Sequence, residues 1–410
     1  MTTEAKSGEG TQFPPLTWGV KLLILAGAPA VGLGISGPNI ILPTIEAELA
    51  HGEFDKLLVK MLIGVTGAAM VIGAPLTGFL ADRLGLRKVL FFNYALFTIA
   101  GSAGLYLSDL WLLTLSRFLV GIAGAGAVTA SIIIINKRVD PDARASWMGA
   151  YITASYVCNI VLHPAMGFLG EQNWHLVFAP FLLFAPFALL ALTSFSGPEP
   201  IVKADAGSPT VKEEPLLSWF PARYAVLGFM MGCIVYLPIV YMPFMMRDLG
   251  ITNPKDIGFI MLGDTLAGIV VSMMFGRSRR YMSVNGNFMF AFATTAIGGA
   301  ITAMAQGYWT VMLGMGIVGM GVGWFMPTLM YLIGTKVLPV QQGRTAGLVK
   351  GSNYLATPLV ILAVQPLYLM WGPRFPILLS GLVSLALLIG VIWLIVQERG
   401  RERLAVSPAE

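Results

Sequence analysis

The sequence predicts an all-α membrane protein, with twelve transmembrane helices arranged as two pseudo-symmetric six-helix bundles. Three observations predict it. Charged residues make up 11% of the 410-residue chain and hydrophobic residues 56%, against roughly 25% charged in soluble domains. Apolar runs of about 20 residues, each enough to cross a bilayer, recur along the whole length. A polar, proline-rich interruption near the middle separates these runs into two sets of six. In lipid such spans must be helical, because every backbone amide has to bond within its own segment. No stretch is long and polar enough to form a separate soluble domain.

The spans fall at 21–46, 57–81, 88–107, 110–136, 145–169 and 176–195, then at 223–246, 256–276, 284–305, 308–335, 344–370 and 373–397. Residues 1–20 are polar and lack the apolar stretch of a signal peptide; with residues 398–410 they read as cytoplasmic tails. Placing both termini inside puts nineteen of the 26 Lys and Arg residues in cytoplasmic segments. Five lie outside (Lys56, Lys60, Arg247, Lys255 and Arg374), and Arg117 and Lys350 stay within helices. This asymmetry follows the positive-inside rule. The net charge of +5 therefore reflects topology and not nucleic-acid binding. No N-x-S/T sequon occurs, which agrees with a bacterial inner membrane. The expected state is a monomer surrounded by lipid.

Between the second and third spans runs the charged turn GFLADRLGLRKVL, Gly78 to Leu90. It resembles the loop signature of the major facilitator superfamily, roughly G-x-L-a-D-r-x-G-r-k. Gly78, Leu80, Ala81, Asp82, Arg83, Gly85, Arg87 and Lys88 match, and Leu86 stands where the family usually has a cation. The resemblance implies that Asp82, with Arg83 and Arg87, latches the cytoplasmic side and lets go when the halves rock. Asp82 would accept from the exposed amides at the start of the eleventh helix, near Gly343 and Arg344, where the helix dipole favours an anion. Gly78 would let the second helix lie close to a neighbour. The competing reading is a purely topogenic loop, which accounts for the cations but not for Asp82 and the spaced glycines.

An ionisable group inside a span costs roughly 2.5–3.5 kcal/mol on insertion scales, so each is a functional candidate. In the fourth span, Arg117 in LTLSRFLVGIAGAG is similar to the helix-four motif of proton-coupled facilitators, with Val120 replacing the usual glutamine. The resemblance sets this arginine beside the proton site. Otherwise it tethers a carbonyl or a neighbouring loop. In the fifth span, Ser155, Asn159 and His163 are spaced four apart and share one helical face. The glycine-rich pattern of antiporters is largely missing there. Aligned on Pro164, the chain supplies Ala150, Asn159, His163, Gly167 and Phe168. His163 has Ala363 as its repeat-related residue, so the fold does not demand an imidazole. It reads as a titrating group for coupling or substrate binding, or as a structural histidine bonded to a carbonyl.

Residues 196–222 carry five prolines and mixed charges and read as a flexible linker between the bundles. The halves echo each other at an offset near 200: Arg144 opens the fifth span as Arg344 opens the eleventh. Gly276-Arg-Ser-Arg-Arg280 weakly repeats the Gly78 turn without its Asp. Paired bundles of this kind place a substrate site between them near the midplane. The seventh span sets Met230, Met231, Met242, Met245 and Met246 beside Tyr236 and Tyr241. Such a wall either repacks around varied apolar ligands or fills gaps between helices. Met242 and Met246 as Cu(I) ligands lack a third donor near them in sequence. In the eighth span Asp264 is the only acid clearly within a helix, and a carboxyl group there is a candidate proton carrier. Gly314 to Gly319 matches G-x-G-x-x-G, but no strand precedes it and the Rossmann reading fails. With Gly321 and Gly323, these glycines permit helix contact and bending before Pro327. Lys350 in the eleventh span is a binding-site cation, or it snorkels to the interface.

Cys158 and Cys233 form no C-x-x-C, so neither a disulfide nor a metal site is expected. There is no P-loop, H-E-x-x-H or G-x-S-x-G, which leaves no residues for an ATP-driven pump or a hydrolase, and no cofactor is expected. The resemblance is closest to the drug:proton antiporter branch. It implies a proton-coupled secondary transporter, not an enzyme, that exports amphipathic compounds by alternating access. Asp264, Arg117 and His163 would couple the proton; Ser155, Asn159, His163, Tyr236, Tyr241 and Lys350 would meet the substrate. The alternative is proton-linked uptake of an organic anion, with Arg117, His163 and Lys350 as counter-charges. A third reading is a non-transporting membrane sensor or assembly partner on the same fold.

Overall fold

A computed structural model describes residues 16–195, 219–278 and 280–406. The first fifteen residues of the expected tail, the linker over 196–218, Arg279 of the weak echo and residues 407–410 lie outside the described residues. Eleven helical segments are long and apolar enough to cross a membrane. In chain order they are α1 (Trp18–Leu49), α2 (Glu53–Leu84), α3 (Leu86–Leu105), α4 (Leu110–Arg138), α5 (Asp142–Gln172), α6 (Trp174–Ser194), α7 (Ala222–Asp248) and α8 (Pro254–Ser278). After the next helix come α10 (Tyr308–Lys336), α11 (Gln341–Trp371) and α12 (Arg374–Gln397). Between α8 and α10 lies α9, Val284–Ala303, whose 20 residues reach about 30 Å, the thickness of the hydrocarbon core. Asn285 and Asn287 in its first turn hold down its mean hydropathy. The expected count of twelve is met.

The helices overrun the apolar runs because their ends are capped by polar side chains. Asp109 accepts from the Leu112 amide at the start of α4, and Ser283 from the Gly286 amide at the start of α9. Between α2 and α3 the chain reverses at Gly85, with φ 82° and ψ 151°. Only glycine adopts that conformation without strain, which explains why the turn needs a glycine there. The end of the bundle carrying this turn is the signature face below, and the other end the opposite face.

Proline shapes the interior. It cannot donate an amide, so the carbonyl four residues earlier is left for another partner. Pro243 frees the Ile239 carbonyl in α7, and Asn39 Nδ2 of α1 donates to it. Pro327 frees the Gly323 carbonyl in α10, and Ser272 Oγ of α8 donates to that one. The glycines of α10 allow the approach, since a Cβ at Gly319, Gly321 or Gly323 would run into Asp264, Thr295 or Gly268.

Within the first half α2 and α3 pack on α4; within the second α8 and α9 pack on α10, and α7 on α11. The halves meet along two pairs, α5 with α8 and α2 with α11, which the 200-residue offset interconverts. Asn39 touches Ile239 and Glu46 touches Arg247, separations of 200 and 201. A residue that meets its own repeat equivalent lies on the axis relating the two halves. α1 and α7 therefore converge on that axis towards the opposite face.

Candidate functional site

The opposite face is closed by charge. Glu46, in the last turn of α1, is buried and spans two cations. Its Oε2 accepts from Lys60 Nζ of α2 at 3.1 Å, and its Oε1 accepts from Arg247 Nη1 of α7 at 3.0 Å. Lys60 is fully buried. Its ammonium also donates to the Lys56 carbonyl and lies 4.6 and 4.3 Å from the rings of Phe244 and Tyr368, both of the second half. Elsewhere on this face, Asn253 Nδ2 donates to Glu171 Oε1 across the α5–α8 contact. These findings correct two expectations. Lys60 is not a loop cation, and Asp264 is not the only acid within a span. Hydropathy ended the first apolar run at residue 46 and so hid a pair that forms across the α1–α2 turn.

The signature face is open. Between the halves lies a cavity of about 640 Å³, walled by α1, α2, α4 and α11. Val31, Met70, Ala74, Val128, Ile132 and Leu355 make most of its wall apolar, while Thr129, Ser352 and Tyr354 add polar groups. Arg344 and Lys350 are its charged residues. Pro75 lines it too, which leaves the carbonyl of Val71, also on the wall, without its helical partner.

A second, smaller cavity of about 240 Å³ is formed by α1, α5, α7, α8 and α10. Asn159 and His163 from α5, and Asp264 and Thr265 from α8, line it with Ser36 and Tyr156. His163 Nδ1 stands 3.4 Å from Thr265 Oγ1. Its Nε2 and the Oδ1 of Asn159 are buried with no hydrogen-bond partner. The Asp264 carboxylate is half-buried and packs against bare backbone at Gly319. A carboxyl group, an imidazole with an unfilled nitrogen and an amide oxygen thus line one small cavity. Such a set can take up and pass on a proton. Two of the three residues of the α5 stripe are brought together here; Ser155 lines neither cavity.

A sequence profile of the Major Facilitator Superfamily matches residues 24–286 and 225–409. The chain belongs to the major facilitator superfamily. It is 27% identical over 362 residues to the class G tetracycline resistance protein of Vibrio anguillarum, covering 84% of this chain and 89% of that one. It is 33% identical over 180 residues to the class B tetracycline resistance protein of Escherichia coli, 42% of this chain and 41% of the relative. Among solved structures it is similar to a D-xylose–proton symporter, with TM-score 0.73, 14% identity, and 90% of this chain and 97% of that chain covered. It is also similar to the nucleoside transporter NupG, with TM-score 0.71, 13% identity, and 91% and 98% covered. This facilitator is a multi-pass membrane transporter and not an enzyme.

The remaining candidates of the facilitator fall elsewhere. In this conformation Asp82 faces Lys137 Nζ of the same half at 3.3 Å, with both side chains largely exposed. Arg83 stacks on Phe79, 4.1 Å to its centroid. A Cβ at Gly78 would meet nothing within 4 Å, so this glycine permits no close helix contact here. Arg87 and Lys88 lie at the start of α3. Tyr241 packs on Tyr368, 5.3 Å between centroids, and Tyr236 reaches Asn353 Oδ1 at 3.5 Å; neither lines either of the two cavities described above. The methionines around them fill space, with Met242, Met245 and Met246 fully buried.

Arg117 is buried away from both cavities. Its Nη2 donates to the carbonyls of Ala100 and Gly101 at 3.0 and 2.9 Å, closing the end of α3, and its plane lies near Phe178 and Phe181 of α6. These are the contacts of a tether. Replacing it by Ala leaves two buried carbonyls without a charged donor, each worth roughly 1.5–3 kcal/mol. Arg117→Ala should therefore lower the thermal unfolding midpoint clearly while transport per folded molecule stays near normal. A native midpoint with lost coupling would return Arg117 to the proton pathway.

Proposed function

We propose that this facilitator is a proton-coupled exporter of amphipathic compounds in a bacterial inner membrane, with the signature face cytoplasmic. The observation that carries the reading is the separation of two chemically different sites. A roomy apolar cavity on the signature-face side suits an amphipathic solute, and a smaller, more polar pocket nearer the opposite face holds Asp264 and His163. The likeness to tetracycline resistance proteins supports export, and the excess of cations on the signature face supports its cytoplasmic placement.

In the cycle so proposed, the structure is the state that receives solute from the cytoplasm. Asp264 lies ten residues into α8, about 15 Å from its opposite-face end. A proton entering from outside reaches it once that face has opened, and leaves on the return. Asp82 serves as the latch of the other state, moving from Lys137 towards the start of α11 as the cytoplasmic side shuts. Labels on the signature-face ends of the two halves test this latch: Asp82→Asn should lengthen their distance distribution, and an unchanged one sinks it.

Transport by inside-out vesicles with an imposed pH gradient tests the whole reading. Tetracycline and a panel of amphipathic compounds should accumulate only while the interior is acidic, and a protonophore should discharge them. Accumulation confined to right-side-out vesicles would favour the uptake reading. Accumulation indifferent to the gradient would remove proton coupling.

A further inference from the structure

We infer that the compound carried in the larger cavity bears a negative charge: an amphiphile with a carboxylate, sulfonate or comparable oxyanion on an apolar body. This rests on the preceding reading that the cavity is the substrate site, and it names the substrate's charge. Arg344 and Lys350 line the cavity, and among the described residues no Asp or Glu joins them. Both charged residues of the wall are positive.

Lys350 carries most of the argument. It lies nine residues inside α11, about 14 Å from the signature-face end. An ammonium at that depth is costly to insert unless water or a counter-charge meets it. Its side chain is exposed to the cavity and not folded into the packing between helices. The repeat-related residue is Ala150, so the architecture does not require a cation there. Gly347 and Gly351 flank it on the same wall, and a Cβ at either would meet nothing within 4 Å. The backbone around the lysine is bare, which leaves the ammonium room to swing onto a ligand. Tyr354, one turn further on, lines the same wall and can add a hydroxyl donor. Across the space the apolar faces of α2 and α4 offer the body of the ligand a dry surface.

Charge complementarity selects the occupant. An organic cation would have to approach the Lys350 ammonium on a wall with no carboxylate among its described residues, at a place where water screens charge less than at the surface. An anion finds its counter-charge in place, in the manner of a pocket with few polar groups that fix orientation.

The test uses two probes with one aryl body and opposite charge, naphthalene-2-sulfonate and (naphthalen-2-yl)trimethylammonium. Their binding to the full chain in nanodiscs of zwitterionic lipid is measured by calorimetry at fixed pH. The sulfonate should bind more tightly than the ammonium probe, and Lys350→Gln should weaken it roughly tenfold, about 1.4 kcal/mol. Lys350→Arg should restore most of the affinity, and Lys350→Glu should reverse the preference between the probes. The cavity-filling variant Gly347→Trp, at an exposed position on the wall where a Cβ meets nothing within 4 Å, should block both probes. If both bind alike and Gly347→Trp excludes both, the cavity is the binding site and the charge inference is overturned. If neither probe responds to Gly347→Trp or to Lys350, the cavity is not the substrate site and the reading beneath the inference falls with it.

Discussion

Asp264→Asn should yield a protein that folds, binds and exchanges substrate, and accumulates none. The amide matches the carboxylate in size, and size matters at this position because Asp264 packs directly on the backbone of Gly319 where α8 and α10 touch. What the amide cannot do is bind and release a proton at neutral pH. One pH unit across the membrane is worth 1.36 kcal/mol per proton, a factor of about ten in the concentration ratio that exchange can hold. With two units imposed, a one-proton exchanger sustains a ratio near 100, and the uncoupled variant should relax to a ratio near one. Counterflow of labelled against unlabelled substrate, which needs no net proton movement, should continue. Asp264→Glu keeps the chemistry but adds a methylene against Gly319, so it should couple more slowly without losing the gradient response. A wild-type ratio in the Asn variant would remove Asp264 from the mechanism. His163 and Asn159 would then be left as packing around an empty pocket.

Much of this architecture was legible in the sequence because it follows from strong, local constraints. Lipid forces every apolar run into a helix, and the Gly78–Leu90 turn carries its family likeness in thirteen consecutive residues. The meeting of Asn159, His163 and Asp264 was half legible: four-residue spacing put the first two on one face of α5, but nothing local indicated that α8 would bring its carboxylate there. Side-chain direction was the main thing missing. Arg117 was visible as a costly charge, yet whether it faced the cavity or the end of α3 depended on which side of α4 each neighbour took. Tyr236 and Tyr241 likewise turn into the packing of α7 on α11. The Glu46–Lys60–Arg247 group was hidden for another reason, because its members sit at helix ends where hydropathy cannot tell a buried charge from a loop charge. The repeat held the clue. Glu46 and Arg247 stand 201 residues apart with opposite charges, as expected of two residues that meet on the axis between the halves.

Glu46→Gln should open the opposite face. Removing the anion leaves Lys60 and Arg247 on either side of a neutral amide, two cations that must now share one site. Breaking a buried pair from one side costs about 3–5 kcal/mol, because the partner stays behind uncompensated. Not all of that applies here, since Arg247 is 34% exposed and water screens its part. Lys60 is 0% exposed and cannot be screened in the closed state; opening the face is its route to water. A shift of even 2.7 kcal/mol would move the balance between the two conformations about a hundredfold. Spin labels at the exposed positions His51 and Asp248 should therefore report a short distance in the wild type and a longer, broader one in Glu46→Gln. A second protein separates an opened face from a loss of stability. With Glu46, Lys60 and Arg247 all replaced by Leu, no charge is left stranded and apolar packing can hold the face shut. The triple variant should keep the short distance, unfold at a higher temperature than Glu46→Gln, and transport slowly because the closed face no longer has a polar route to opening. An unaltered distance distribution in Glu46→Gln would show that Asn39, Glu171 and the aromatic ring pair at Tyr368 hold the two halves together without the charges.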